Sequence, residues 1–182
     1  MNKIIVIDIE TTGLNPNSDL ILEIGIIKLN LDTGDSKLIF DSYVKEPALG
    51  DEHSNCWIFE NSDLNFEEVK NGPLLDDLRQ ELQGIFLKYS VTAFNKSFDL
   101  GFLKSREFKF PNELPCIMLT STNICKIPSR NPRSKFKWPK VQEAWDFFFP
   151  ISNYIEQHRA ADDAFHEAHI LYEMYQRGLY SL

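Results

Sequence analysis

Asp8 and Glu10 stand two residues apart at the end of the apolar run Ile4-Ile5-Val6-Ile7. In an extended backbone residues i and i+2 project from one face, so both carboxylates point the same way. Two like charges held together repel and raise each other's pKa unless a cation lies between them. The pair therefore points to an oxygen-ligated divalent cation, Mg²⁺ or Mn²⁺. An ordinary solvated strand end can carry the same two acids, so the pair needs company. Asp99 follows a second extended run, Val91 to Phe94, which would put it at an edge shared with the first. It falls in the first turn of a helix, where an acid is also favoured for the helix's own sake. Asp163, beside Asp162, again opens a helix, and one of these two can cap it. His158 precedes Asp163 by five residues in a loop.

Positioning these groups requires strands that end together. Ile4–Ile9, Ile21–Leu29 and Leu38–Val44 are rich in β-branched and aromatic residues and are separated by Gly13-Leu14-Asn15-Pro16-Asn17 and Asp32-Thr33-Gly34-Asp35. Turns this short predict an antiparallel meander, since a parallel return needs a crossover of about a dozen residues. Leu74, Leu75, Leu78, Leu82, Ile85 and Phe86 recur at helical spacing. A short strand follows at Val91–Phe94, then a helix carrying Phe98, Phe102 and Leu103, with Asn95 or Ser97 as its cap. Cys116–Thr120 reads as a fifth strand and Val141–Phe149 as a short helix ended by Pro150. The last helix carries Ala164, Ala168, Leu171, Tyr172 and Tyr175 on one face and ends at Gly178. Its His166 and His169 are expected to face outward and to be structural. With no linker or internal repeat, one α/β domain over residues 1–182 is expected.

Composition limits the functions this scaffold can serve. The 182 residues include 43% hydrophobic side chains, enough for a core. Nineteen basic against 27 acidic residues leave a net charge of −8, which excludes a protein held on nucleic acid or anionic lipid by bulk positive charge. Three cysteines with no CxxC pair, and no run long enough to cross a membrane, predict a reduced, soluble, cytoplasmic protein with no membrane partner. One stretch departs from the acidic average. Lys126 to Lys140 holds Lys126, Arg130, Arg133, Lys135, Lys137 and Lys140, six of the 19 basic residues, and no acid. Phe136 and Trp138 are interleaved, which suits phosphate contact and base stacking on a single strand as well as it suits a solvated loop.

Taken together, Asp8-Ile9-Glu10-Thr11-Thr12-Gly13-Leu14, Asn95-Lys96-Ser97-Phe98-Asp99 and His158-Arg159-Ala160-Ala161-Asp162-Asp163-Ala164 resemble, in order and spacing, the three motifs of the DEDDh family of 3′–5′ exonucleases. The proofreading subunit of bacterial replicative DNA polymerase typifies that family. The resemblance covers residues 4 to about 178. It implies a ribonuclease-H-like fold: a mixed five-stranded sheet, the meander plus parallel strands, flanked by helices. It implies two divalent ions, Mg²⁺ or Mn²⁺, on Asp8, Glu10, Asp99 and Asp163, with His158 as general base for releasing nucleoside 5′-monophosphates. Asp163 is preferred to Asp162 because the family spacing runs His-x-Ala-x-x-Asp-Ala. Leu14 resembles the residue that wedges against the terminal base. Thr11 and Thr12 would touch the terminal nucleotide, and Lys135, Lys137 and Trp138 the strand behind it. The implied partner is a single-stranded 3′ end, DNA favoured over RNA, with a polymerase or repair protein as a further partner. Phe94-Asn95 stands where the family often has His-Asn, and the segment 51–66, where relatives contact the terminal nucleotide, shows no matching motif and leaves that part of the pocket open. Two other readings compete. A haloacid dehalogenase-like phosphatase would need a second acidic pair after a later strand, and an exonuclease-like module that binds without cutting would not need all five positions filled.

Overall fold

A computed structural model describes residues 3–182. Strands β1 (Lys3–Thr11), β2 (Ile21–Asn30) and β3 (Ser36–Tyr43) form the antiparallel meander. Helices α1 (Trp57–Asn61), α2 (Phe66–Lys70) and α3 (Leu75–Lys88) lead to β4 (Ser90–Thr92), which pairs parallel with β1. The sheet order is β3-β2-β1-β4. Helices α4 (Lys96–Ser105), α5 (Ile117–Cys125), α6 (Val141–Phe148) and α7 (Ala160–Gln176) complete the chain.

The first half of β1, Ile4–Ile7, is unbroken apolar sequence because both its faces are covered. Ile4 and Val6 join a core with Ala164, Ala168, Leu171 and Met174 of α7, to which α5 and α6 add Ile117 and Trp145. Ile5, Ile7 and Ile9 face the other way, onto Leu82 and Phe86 of α3 and Leu100, Phe102 and Leu103 of α4. Leu20, Leu22, Ile58, Leu64 and Val69 form a smaller third cluster under α1 and α2.

The expected fifth strand at Cys116–Thr120 is a helix instead: α5 begins at Ile117 and buries Ile117, Met118 and Ser121 on one side. What continues the sheet beyond β4 is a single parallel bridge, Val91 to Glu113, where the Val91 N–H donates to Asn112 O and the Leu114 N–H to Val91 O. Pro111 and Pro115 flank this extended piece and lack the N–H groups a longer ladder needs. The sheet among the described residues thus has four strands, not five.

Gly25 is central to how α7 sits. It lies opposite Asp8 in the β1–β2 register. A Cβ there would come within 2.3 Å of the Ala160 carbonyl carbon and 2.4 Å of the Ala161 nitrogen. Only glycine lets the start of α7 cross the sheet at that point. No helix among the described residues is long and apolar enough to cross a membrane.

Candidate active site

Parallel pairing of β1 with β4 brings their C-terminal ends side by side, and the acids collect there. Asp8 and Glu10 leave β1 on the face that α7 covers, Asp99 enters from the first turn of α4, and Asp163 from the first turn of α7. Ligating atoms of Glu10, His158 and Asp163 all lie within 4.8 Å of one another. Asp8 is surrounded by the charges of Glu167, Asp99, Glu10 and Asp163. The three segments that the sequence picked out, up to 155 positions apart, therefore converge on one cleft.

The electrostatics are those of a site lacking a counter-charge. Burial, then the neighbouring carboxylates, holds Asp8 and Glu10 well above the usual carboxylate range. Burial pushes Asp99 up to about 8, against the backbone amides of Asp99 and Ile9. Burial also raises Asp163 to about 7, although the Tyr154 hydroxyl donates to it at 2.8 Å. No Lys or Arg among the described residues pairs with any of the four. An all-oxygen donor set with no cation of its own fits a hard divalent ion such as Mg²⁺ or Mn²⁺.

A pH dependence follows from these directions. Carboxylates raised in the folded state favour folding when protonated, so their contribution is complete below about pH 4 and is lost as pH rises through about 7 to 8. The metal-free protein is expected to melt at progressively lower temperature between about pH 5 and about pH 8.5, and added Mn²⁺ to remove that fall. Thermal melts with chelator and with Mn²⁺ check this, and a metal-free melting temperature that rises across the window would contradict it.

The third motif is held by contacts the sequence did not suggest. Glu23, 1% exposed, lies directly across from Glu10 in the β1–β2 register. Like charges so placed repel. Arg159 answers them: its Nη2 donates to Glu23 Oε1 at 2.7 Å and its Nε at 3.1 Å, while the Ala160 N–H donates to Glu23 Oε2 at 2.9 Å. This pins the start of α7 to β2 just after His158, whose backbone adopts a left-handed φ of 53°. The one available signal was an acid alone in the apolar run Ile21-Leu22-Glu23-Ile24. Tyr154 bridges Asp162 and Asp163 and stacks on His166 with ring centroids 3.4 Å apart. His166 thus faces inward, against Tyr154 and Trp145, and the expectation that it turns outward is corrected. The bulky aromatics on the segment before α7, which periodicity within α7 does not reveal, cause the difference.

Beside the acids lies a cavity of about 350 Å³ lined by residues 9–14, Trp57, Ile58 and Phe98. Leu14 is 83% exposed and Trp57 59% exposed, so apolar surface stands open to a ligand. Trp57 comes from the 51–66 segment, which sequence left without an assignment, and its ring centroid is 5.0 Å from that of His158. The Thr11 and Thr12 hydroxyls are used in the turn, donating to Gly13 O at 2.6 Å and accepting from Leu20 N at 2.9 Å respectively. Arg106, at the end of α4, clamps the same loop by donating to Pro16 O and Asp19 O and pairing with Glu46.

The basic stretch is an irregular loop closed by an antiparallel bridge between Pro128 and Phe136. Arg130, Arg133 and Lys135 are exposed, as is Trp138. Lys137 is engaged within the protein: its Nζ contacts both Glu143 carboxylate oxygens at 2.5 and 2.7 Å. The loop runs into α6, whose Gln142 bonds Tyr154 O and Glu156 N and so ties this end to the segment preceding His158. Replacing Arg130, Arg133 and Lys135 together by alanine is expected to weaken single-strand binding. It should also reduce the slope of log affinity against log salt by about 2. An unchanged slope would make this an ordinary solvated loop.

The model of a family described as "Exonuclease" matches residues 5–171. A DNA polymerase III of PolC type from Caldanaerobacter subterraneus subsp. tengcongensis is 26% identical over 177 residues, covering 96% of this chain but 12% of that protein. The chain thus spans about an eighth of that relative's length. Among solved structures, the nuclease domain of 3′hExo, a DEDDh family member bound to rAMP, superposes with a TM-score of 0.68 at 20% identity, covering 97% of this chain and 93% of that one. Pop2p of S. pombe, in its Mg²⁺- and Mn²⁺-bound form, gives 0.71 at 16% identity, covering 96% and 83%. At these identities the structural likeness speaks for the fold.

Proposed function

The chain belongs to the exonuclease family, and from that premise we propose that it removes nucleotides from the 3′ end of a single strand, releasing nucleoside 5′-monophosphates. The observation that carries this is the convergence of Asp8, Glu10, Asp99 and Asp163 with His158 at the C-terminal ends of β1 and β4, with no Lys or Arg among the described residues paired to the acids. In this reading the four carboxylates hold two divalent ions, Mg²⁺ or Mn²⁺. Such ions, when bound, polarise the phosphodiester and lower the pKa of water.

The protein's own groups do the rest. His158 stands within reach of Glu10 and Asp163 and accepts the proton of the attacking water, a task for which an imidazole is suited near neutral pH. Glu23 and Arg159 hold the backbone beside it, and Trp57 bears on its ring. The terminal base lies against Leu14, Trp57 and Phe98, whose apolar surfaces gain by leaving water. The loop with Arg130, Arg133, Lys135 and Trp138 takes the phosphates and bases further back.

DNA is the favoured substrate, a reading supported by the similarity to a polymerase of the PolC type, whereas the neighbour bound to rAMP keeps RNA in the comparison. A polymerase partner fits the same similarity. The site acids fall in the three exonuclease motifs, and Asp162-Asp163 opens a helix and does not end a strand, so the phosphatase reading has no support. Digestion of single-stranded, duplex and 3′-mismatched DNA and RNA by the protein with Mn²⁺ tests the proposal. Faster loss from single-stranded or mismatched 3′ DNA ends is expected. Binding of every substrate with no shortening of any would favour a module that does not cut.

A further inference from the structure

Glu167 lies one turn beyond Asp163 on α7, at the i+4 spacing that puts both side chains on one helix face. It is 1% exposed. Its Oε2 accepts the Phe94 N–H at 3.2 Å, just where β4 gives way to the second motif. Its Oε1 takes no hydrogen bond among the described residues, and no Lys, Arg or His there pairs with it. The charges that face it are Asp8, Asp99, Asp163 and Glu156, all negative. The role of anchoring Phe94 needs only an acceptor, which a glutamine supplies without burying another negative charge. A buried carboxylate with one oxygen fixed by backbone, set among four other acids, is placed for a cation.

We propose that Glu167 is a fifth metal-directed carboxylate of this chain, acting with the motif acids clustered at the ends of β1 and β4. This rests on the metal reading above and adds to it a residue outside the three motifs. It makes α7 a two-turn donor: Asp163 from the first turn, Glu167 from the second. The Phe94 N–H fixes the direction of Glu167, so the second motif and α7 are joined through the same side chain that meets the ion.

The test is Mn²⁺ binding, by calorimetry, to the full chain without nucleic acid. The proteins compared are the wild type, D8N, E167Q and E167D. The wild type is expected to bind, and D8N to lose affinity. E167Q, which keeps the acceptor for Phe94, is expected to bind Mn²⁺ about 10- to 100-fold more weakly while melting no lower than wild type in chelator. E167D, which keeps the charge but withdraws it by one methylene, is expected to fall between wild type and E167Q. Wild-type affinity in E167Q, or weaker binding by E167D than by E167Q, overturns the role of Glu167 and leaves the metal reading standing. No Mn²⁺ binding by the wild type, or wild-type binding by D8N, overturns the metal reading itself.

Discussion

Asp8→Ala is expected to abolish metal-dependent shortening of an oligonucleotide, a loss of about 10³-fold or more. Asp8 faces the charges of Glu167, Asp99, Glu10 and Asp163, so it stands within the charge cluster. Removing it takes away one of the buried carboxylates of that cluster, and with it transition-state stabilisation that a bound ion would provide, worth several kcal/mol. The same substitution should not unfold the protein. With metal absent, Asp8 is held well above its ordinary pKa by burial and like charges, so its loss relieves repulsion, and the variant should melt in chelator at least as high as the wild type. Loss of activity with retained or raised stability identifies a chemical role. Undiminished digestion would remove Asp8 from the mechanism.

His158→Ala is expected to slow digestion by about 10²-fold or more without a comparable loss of Mn²⁺ affinity. The distinction matters because a His158 nitrogen lies within 4.8 Å of ligating oxygens of Glu10 and Asp163, close enough for a ligand as well as for a base. A base leaves metal binding intact and depresses the rate, whereas a ligand lowers affinity first. His158 is also in the left-handed backbone region, with φ 53°, which glycine tolerates better than alanine. His158→Gly should therefore fold at least as well as His158→Ala and leave room for external imidazole to restore part of the rate. A loss of Mn²⁺ affinity matching the loss of rate would assign His158 to the metal instead.

The sequence made the sheet's beginning and the four motif acids legible for physical reasons. β1 is apolar on both faces, so its end is marked sharply by Asp8, and the turns after β1 and β2 are too short for anything but antiparallel return. α7 carries a clean apolar face. Cys116–Thr120 failed because an apolar run of that length fits a strand and a buried helix face equally, and the decision came from Pro111 and Pro115 restricting the extended piece before it. Glu23, Glu167 and Trp57 were missed for a different reason. Each acquires its meaning from a partner far along the chain: Arg159 for Glu23, Phe94 for Glu167 and His158 for Trp57. Local spacing carries no trace of such partners. Lys137 shows the same limit from the other side: its charge is visible in the sequence, its pairing with Glu143 only in the structure.

The central claim is that the acids at the ends of β1 and β4 serve removal of nucleotides from a 3′ end. It is tested most directly by incubating the wild-type protein with a 5′-labelled single-stranded DNA oligonucleotide and Mn²⁺, and resolving the labelled products over time. A ladder of labelled fragments that shortens one nucleotide at a time, every rung keeping the 5′ label, and that disappears with chelator, is the predicted result. Early release of the labelled 5′ nucleotide, a few internal cuts, or an unchanged oligonucleotide would contradict it.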